Sequence, residues 1–204
     1  MNNQLQEEFG NIDIYLFDQL VKGTFDNCKR VIDIGCGGGR NIVYFLKKGF
    51  DVFGVDQQPE AIEQVRALSA ALAPDNDTSN FRCETVESMS FDDGFFDVAI
   101  CSAVLHFARD KNHFETMLYS IWRVLKPGGF LFARLASNIG IEKRVVPISD
   151  GRFFLPDGSE RYLVDEHQLL QYTENLGAIL FEPIKTTIVQ NKRSMTTWCI
   201  AKTK

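Results

Sequence analysis

VIDIGCGGGR, residues 31–40, is the stretch of this 204-residue chain that decides the fold. Its β-branched run predicts a buried strand, a glycine-rich turn follows the acid, and residues 41–48 predict a helix that Gly49 ends. A strand, a glycine turn and a helix start in this order place a ligand over the carboxyl edge of a parallel sheet.

The spacing of the glycines favours one kind of ligand. Gly35 and Gly37 fit the opening of a dinucleotide fingerprint, but its third glycine would fall at Arg40, and no Gly-Lys-Ser/Thr closes the turn as in a P-loop. Asp33 would repel a pyrophosphate and attract an ammonium or sulfonium group. The glycines let the backbone come close to a ligand. A cationic, zwitterionic nucleoside therefore fits better than NAD.

Residues 33–39, DIGCGGG, resemble the first motif of the class I S-adenosylmethionine (SAM) methyltransferases, and the downstream segments agree from about residue 30 to 135. Residues 39–41 and 48–52 are further similar to the tellurite-resistance-type and related small-molecule enzymes. The resemblance implies an α/β fold: a Rossmann-like, doubly wound, mostly parallel seven-stranded sheet with a C-terminal antiparallel hairpin. It also implies SAM as methyl donor and S-adenosylhomocysteine (SAH) as product.

The length favours a single domain, in which four segments are expected. They are an N-terminal helical cover at 1–29, a SAM-binding core at 30–136, an irregular lid loop at 137–164, and a C-terminal helix and hairpin at 165–204 with strands at 178–185 and 195–202. The cover contains a helix over 12–22, which either packs on the core or, as the resemblance implies, lies over the cofactor. Within the core, an amphipathic helix over 110–125 is expected to end at KPGG, residues 126–129, before a strand at 130–136.

Composition and charge argue against several classes of protein. The chain is 45% hydrophobic and 24% charged, and no apolar run approaches the roughly 20 residues that a membrane span needs. Residues 1–8 have neither the basic nor the apolar segment of a signal peptide, so we expect none. A net charge of −5 and a pI near 5.3 argue against nucleic-acid binding. Five scattered cysteines without C-x-x-C predict neither zinc nor disulfides. We expect a cytoplasmic monomer or homodimer that binds no metal, nucleic acid or membrane.

Asp56 ends the second predicted strand, 21 residues after Gly35, where an acid would bind ribose hydroxyls. The alternative is a helix cap, because Pro59-Glu60 opens the next helix. The resemblance places Gln57 beside the adenine and residues 85–91 against its ring, with Thr85 where many relatives have Asp. The predicted cofactor-binding residues are Tyr15, Asp33, Gly35, Cys36, Gly37, Gly39, Asn41, Asp56, Gln57, Thr85, Val86, Glu87, Cys101 and Ser102.

The turn after the strand at 95–101 is expected to touch the methionine part of SAM and to begin the substrate wall. Cys101 there is expected to be a small core residue, because methyl transfer goes directly to the acceptor and needs no thiol nucleophile. His106 is the candidate catalytic residue, as substrate ligand or proton acceptor, or else a packing residue bonded to the backbone. His113 and His167 are expected to be solvated.

The segment 137–164 concentrates arginines and aromatic residues in an acidic protein. Arg152, Arg161 and Tyr162 are the candidate substrate residues, in a lid that presents an Arg to an anionic or oxyanionic acceptor. The alternative is a solvated loop whose arginines pair with neighbouring acids.

The sequence thus predicts a methyltransferase that holds a small-molecule acceptor in line with the methyl group. Alternatives are a SAM- or nucleoside-binding protein without turnover, and a methyltransferase acting on protein or RNA. An NAD-dependent oxidoreductase is disfavoured by Asp33 and by the misplaced third glycine.

Overall fold

A computed structural model describes residues 4–203 of the chain; residues 1–3 and 204, the ends of the predicted cover and hairpin segments, lie outside the described residues. The helices are α1 Gln4–Phe9, α2 Ile14–Val21, α3 Val43–Lys47, α4 Pro59–Leu72, α5 Lys111–Val124 and α6 Glu166–Asn175. The strands are β1 Arg30–Ile34, β2 Asp51–Asp56, β3 Phe81–Cys83, β4 Phe96–Ser102, β5 Leu125–Ala136, β6 Val146–Ser149, β7 Arg152–Phe154, β8 Glu160–Tyr162, β9 Ala178–Leu180, β10 Lys185–Val189 and β11 Arg193–Lys202.

The main sheet has the order β10-β11-β5-β4-β1-β2-β3, and β9 pairs with β11 as well. Strands β1 to β5 run parallel, whereas β11 is antiparallel to β5 and to both β9 and β10. The predicted doubly wound, mostly parallel sheet is confirmed at this level. Eight strands fill its seven positions, because the strand predicted over 178–185 is interrupted around Pro183, which has no N–H for the ladder.

The site is positioned by β1, which lies inside the sheet between β4 and β2. The chain adds β2 and β3 on one side of β1, then returns to add β4 and β5 on the other. Such a reversal of strand order opens a crevice at the carboxyl edge between the two strands. Val31, Ile32 and Ile34 of β1 are fully buried, as expected for a strand covered on both faces.

The prediction of an irregular loop over 137–164 is wrong. The segment contains a three-stranded antiparallel sheet, β6-β7-β8, which we call the small sheet. Asp150-Gly151 turns the chain between β6 and β7, with φ of 41° and 83°. Asp-Gly is a strong hairpin signal because a tight turn of this kind needs positive φ at both central residues.

Two further predictions differ from the structure. The predicted helix over 12–22 is shorter, and its apolar face is only partly buried: Leu16 is buried, whereas Ile14 is 64% and Val21 70% exposed. The predicted turn at 126–129 is part of β5, which begins directly after α5. Lys126 bonds Asp97 at 2.6 Å and so fixes this early part of the strand beside β4.

No helix within residues 4–203 is both long enough and apolar enough to cross a membrane.

Candidate cofactor and acceptor site

Two cavities lie at the carboxyl edge of the main sheet and meet at Gly35. The larger cavity, about 530 Å³, is lined by Gly35, Val55, Asp56, Gln57, Glu84, Thr85, Val86, Glu87, Ala103, Val104, Phe107, Arg109, His113 and Met117. The smaller cavity, about 400 Å³, is lined by Gly10, Asn11, Gly35, Cys36, Gly37, Gly38, Gly39, Arg40, Asn41, Val43, Leu68 and Ser102. Together they bring most of the predicted cofactor residues to one edge.

The glycine turn between the cavities depends on its lack of side chains. Gly35 has φ of 70°, and a Cβ there would lie 2.3 Å from Val104 Cγ2, so the turns after β1 and β4 touch at this point. At Gly37, φ is 50° and a Cβ would meet no atom within 4 Å among the described residues. The turn is therefore packed closely below and open towards the smaller cavity.

Asp33 lies beneath this turn and is 1% exposed. Its Oδ2 atom has no hydrogen-bond partner among the described residues. Burial raises the pKa of this carboxyl to about 7; the Arg40 guanidinium lowers it and the Asp56 carboxylate raises it further. A buried oxygen without a partner is costly, and an ammonium group beside the turn would offset that cost. The site thus fits a zwitterionic amino acid at this end.

Asp56 joins the tips of β1 and β2. Its Oδ2 accepts the Gly37 N–H at 2.9 Å, and its Oδ1 accepts the Gln58 N–H at 3.0 Å. The N-cap of α4 is Gln58, so the predicted cap role of Asp56 is limited to this one bond. Asp56 and Gln57 both line the larger cavity. Their contacts with a ribose and an adenine stay predictions.

The far end of the larger cavity contains a polar network that the sequence did not indicate. His113 Nε2 bonds Glu87 Oε1, while His113 Nδ1 accepts the Arg109 N–H at 3.1 Å. Although burial opposes it, the His113 hydrogen bond contributes to a lowered pKa of Glu87. The expectation of a solvated His113 is wrong, because the first turn of α5 faces residues 86–88. The Thr85 hydroxyl bonds Ser88 Oγ at 2.9 Å.

The N-terminal segment closes the smaller cavity. Asn41 Oδ1 accepts the Asp13 N–H at 3.1 Å, and Arg134 Nη1 donates to Asp13 Oδ2 at 2.7 Å. Gly10 and Asn11 therefore lie beside the glycine turn and line the smaller cavity. Tyr15, predicted to reach the cofactor, instead bonds Thr187 Oγ1 with its hydroxyl at 2.7 Å.

The last two residues of β4 have different environments: one lines a cavity and the other lies in the core. Ser102 lines the smaller cavity and accepts from Arg40 Nη2 at 3.0 Å. Cys101 and Cys36 are buried, and burial raises the pKa of both thiols, which is consistent with inert thiols. The Arg40–Ser102 contact joins residues 62 positions apart, so no local pattern in the sequence predicts it.

His106 has the environment of a packing residue. It is 5% exposed, and its Nδ1 accepts the Ala136 N–H at 3.1 Å. Burial, together with Arg161, lowers the pKa of His106 to about 4, so the ring is neutral at pH 7. Within residues 4–203, the lining of the two cavities does not include His106. Its catalytic role stays a prediction.

The three candidate substrate residues occupy different places. Arg152 donates to Ala108 O and to Glu160 Oε2, both at 3.1 Å. Tyr162 is 1% exposed and its ring stacks on Phe114. The Arg161 guanidinium lies 4.9 Å from the centre of the Phe107 ring, and Phe107 lines the larger cavity. Of the three, Arg161 comes to the rim of the site.

Comparison with known proteins places this geometry in a family. The family model described as "Methyltransferase domain" matches residues 32–133, half of the chain. A ubiquinone biosynthesis O-methyltransferase of Pectobacterium carotovorum is 31% identical over 117 residues, covering 56% of this chain and 45% of the relative. The chain spans about half the length of the curated relatives of this kind that it matches.

Solved structures share the fold. A SAM-dependent methyltransferase of Methanosarcina mazei aligns with a TM-score of 0.72 at 24% identity, covering 90% of this chain and 97% of that one. A 1,6-didemethyltoxoflavin-N1-methyltransferase of Burkholderia thailandensis, solved with its substrate and SAH, aligns with a TM-score of 0.64 at 18% identity, covering 91% and 76%. With the glycine turn, the two carboxylates and the strand order in place, the chain belongs to the methyltransferase-domain family, in the class I SAM-dependent superfamily.

Proposed function

We propose that the protein transfers the methyl group of SAM to a small-molecule acceptor. The observation that carries the proposal is the pair of cavities that meet at Gly35. Asp33, whose Oδ2 has no hydrogen-bond partner among the described residues, lies beneath the smaller cavity, and Asp56 is in the wall of the larger one. SAM has two matching parts, because its sulfur atom joins a nucleoside to an amino acid.

The work of the chain's own residues is to bind, orient and exclude water. Bound SAM supplies an electrophilic methyl group on a sulfonium, so no nucleophilic side chain is required. Two backbone N–H groups position Asp56 to take ribose hydroxyls. Asp33 is buried beneath the glycine turn, where an ionised carboxylate would attract the ammonium. The cover segment around Gly10 shields the amino-acid end. Orientation of an acceptor can supply up to about 7–11 kcal/mol of the barrier.

Two observations favour a small acceptor. The larger cavity of about 530 Å³ is in the range of small-molecule sites and has to hold the acceptor beside the nucleoside of SAM. The chain's net charge of −5 disfavours RNA. The relative named as an O-methyltransferase supports an oxygen atom as the acceptor. The cysteines are free, which supports a reducing compartment such as the cytoplasm.

The test is incubation of the protein with SAM and a panel of small phenols, carboxylates, thiols and amines, with SAH formation measured by chromatography. We expect SAH to accumulate with at least one class and to be abolished by Asp56→Ala. Tight SAH binding without turnover on any class would instead favour the non-catalytic binding protein. A melting temperature raised by NAD and unchanged by SAH would contradict both.

A further inference from the structure

Phe107 is an exposed aromatic residue at the wall of the larger cavity. It follows β4 in the short helical turn Leu105–Phe107, and 56% of its surface is accessible, although both neighbours in the chain are buried. An exposed aromatic face at a cavity lined by polar groups is a common recognition element for planar ligands.

One guanidinium group lies over this ring, that of Arg161, 4.9 Å from the ring centre. Within residues 4–203, Arg161 has no carboxylate within ion-pairing distance, whereas Arg152 pairs with Glu160 and Arg193 with Asp157. Arg109 lines the same cavity, where its Nε–H donates to His113 Nδ1 at 3.3 Å. In a protein of net charge −5, an arginine at the cavity wall without a carboxylate at ion-pairing distance marks a place for a negative charge.

The position of Arg161 is fixed by the small sheet. Its Nη1 donates to Glu160 O at 2.6 Å, which leaves the other N–H groups of the guanidinium for a ligand. Arg152 of β7 donates to Ala108 O, the residue after Phe107, and so fastens the small sheet to the turn that carries the ring. A guanidinium held on an aromatic face in this way is already ordered before a ligand arrives.

We propose that Phe107 and Arg161 form the acceptor subsite and that the acceptor is a small aromatic carboxylate. Its ring packs on the exposed part of Phe107, and its carboxylate binds the remaining N–H groups of Arg161. This inference rests on the proposed function, because it assigns the acceptor of that same site.

The test measures binding, so that it does not depend on turnover. The protein is saturated with SAH and titrated by calorimetry with 2-, 3- and 4-hydroxybenzoate and with the three matching hydroxybenzamides, which have the same shape without the charge. We expect at least one benzoate to bind roughly tenfold or more tightly than its amide, since a hydrogen bond to a charged group is the stronger one.

Variants separate the two parts of the subsite. Arg161→Gln is expected to bring the benzoate-to-amide ratio close to one, Arg161→Lys to keep part of it, and Phe107→Leu to weaken both ligands alike. Arg144→Gln is the matched control, because Arg144 is an exposed arginine of the same segment, and we expect it to leave the ratio unchanged. Melting curves verify that each variant is folded.

The outcomes divide clearly. If none of the six compounds binds the SAH-saturated protein, or if Arg161→Gln and Arg161→Lys both keep the full ratio, the acceptor inference is wrong while the proposed function stands. If SAH itself does not bind, the proposed function is wrong.

Discussion

Asp33 is a buried carboxyl group whose ionisation we expect to be coupled to ligand binding. Its pKa of about 7 means that both protonation states are populated near neutral pH, and a ligand ammonium nearby favours the ionised one. We therefore expect SAH binding to release protons near pH 7 and to tighten as the pH rises from about 6 to 8. Calorimetry in buffers of different ionisation enthalpy measures the released protons.

Asp33→Asn is the control for this titration, because it keeps the shape and removes the ionisation. Comparing the two proteins at each pH cancels the titration of the ligand itself. Equal proton release from both would contradict a role for Asp33.

The same raised pKa predicts a pH dependence in the ligand-free protein. A carboxyl group that ionises at 3.8 when unfolded and at about 7 when folded favours the native state below the lower value. That stability is lost as the pH rises to about 7, because the unfolded chain then holds fewer protons. Urea unfolding at pH 5 and pH 8 should show a larger loss in the wild type than in Asp33→Asn. A larger loss of unfolding free energy in Asp33→Asn than in the wild type would contradict this prediction.

Alanine substitutions at Gly35 and Gly49 separate the cost of a positive φ from the cost of a steric clash. Gly49, which ends α3, has φ of 76° and would place a Cβ in open space, whereas a Cβ at Gly35 would lie 2.3 Å from Val104. Gly49→Ala should cost about 1 kcal/mol of unfolding free energy, the price of a left-handed alanine. Gly35→Ala should cost more and should also abolish SAH binding, since the turns after β1 and β4 must move apart. Denaturant unfolding and calorimetry provide the two readouts, and similar behaviour of both variants would contradict the assignment.

At the scale of elements, an ion pair fastens α2 to β5. Asp13 is the N-cap of α2 and pairs with Arg134, and the two side chains are 3% and 16% exposed. Arg134→Met should cost about 3 kcal/mol, because it leaves a buried carboxylate without a partner. It should also weaken SAH binding, since Gly10 and Asn11 then lose their position over the smaller cavity.

Asp13→Asn separates charge from capping, because asparagine also caps helices well. If the ion pair is the cause, the double variant should be more stable than the sum of the two single effects predicts. Additive losses would mean that the two residues act independently.

The elements and contacts that depend on neighbouring residues could be predicted from the sequence, whereas those that depend on residues distant in the chain could not. The glycine turn, β2 ending at Asp56, and α4 were predictable because each rests on local periodicity or spacing. The small sheet was missed because its strands have three or four residues, too few for a clear alternation, although Asp150-Gly151 marked its first hairpin. The site was predictable as far as the motif extends. The pairing of His113 with Glu87 and of Arg134 with Asp13 joins residues distant in the chain, which no local pattern reports.

At the scale of the whole molecule, the ligand should stabilise the fold. Because both cavities are formed only when β1, β2 and β4 are aligned, we expect SAH to bind the native state alone. At one hundred times its dissociation constant, SAH should add about 2.7 kcal/mol. For a chain of this length we expect the melting temperature to rise by about 5–10 °C. Differential scanning fluorimetry checks this, with NAD as the control that should leave the melting temperature unchanged.

Because the two cavities meet at Gly35, we expect each of them to bind one half of the ligand. Adenosine and a free amino acid such as homocysteine should each be able to occupy their own compartment, weakly and at the same time. Covalent connection raises the effective concentration of the second half once the first is bound, so the intact molecule gains affinity without any new contact. A substitution in one cavity should then weaken the binding of one half of the ligand, while the other half stays bound in the other cavity.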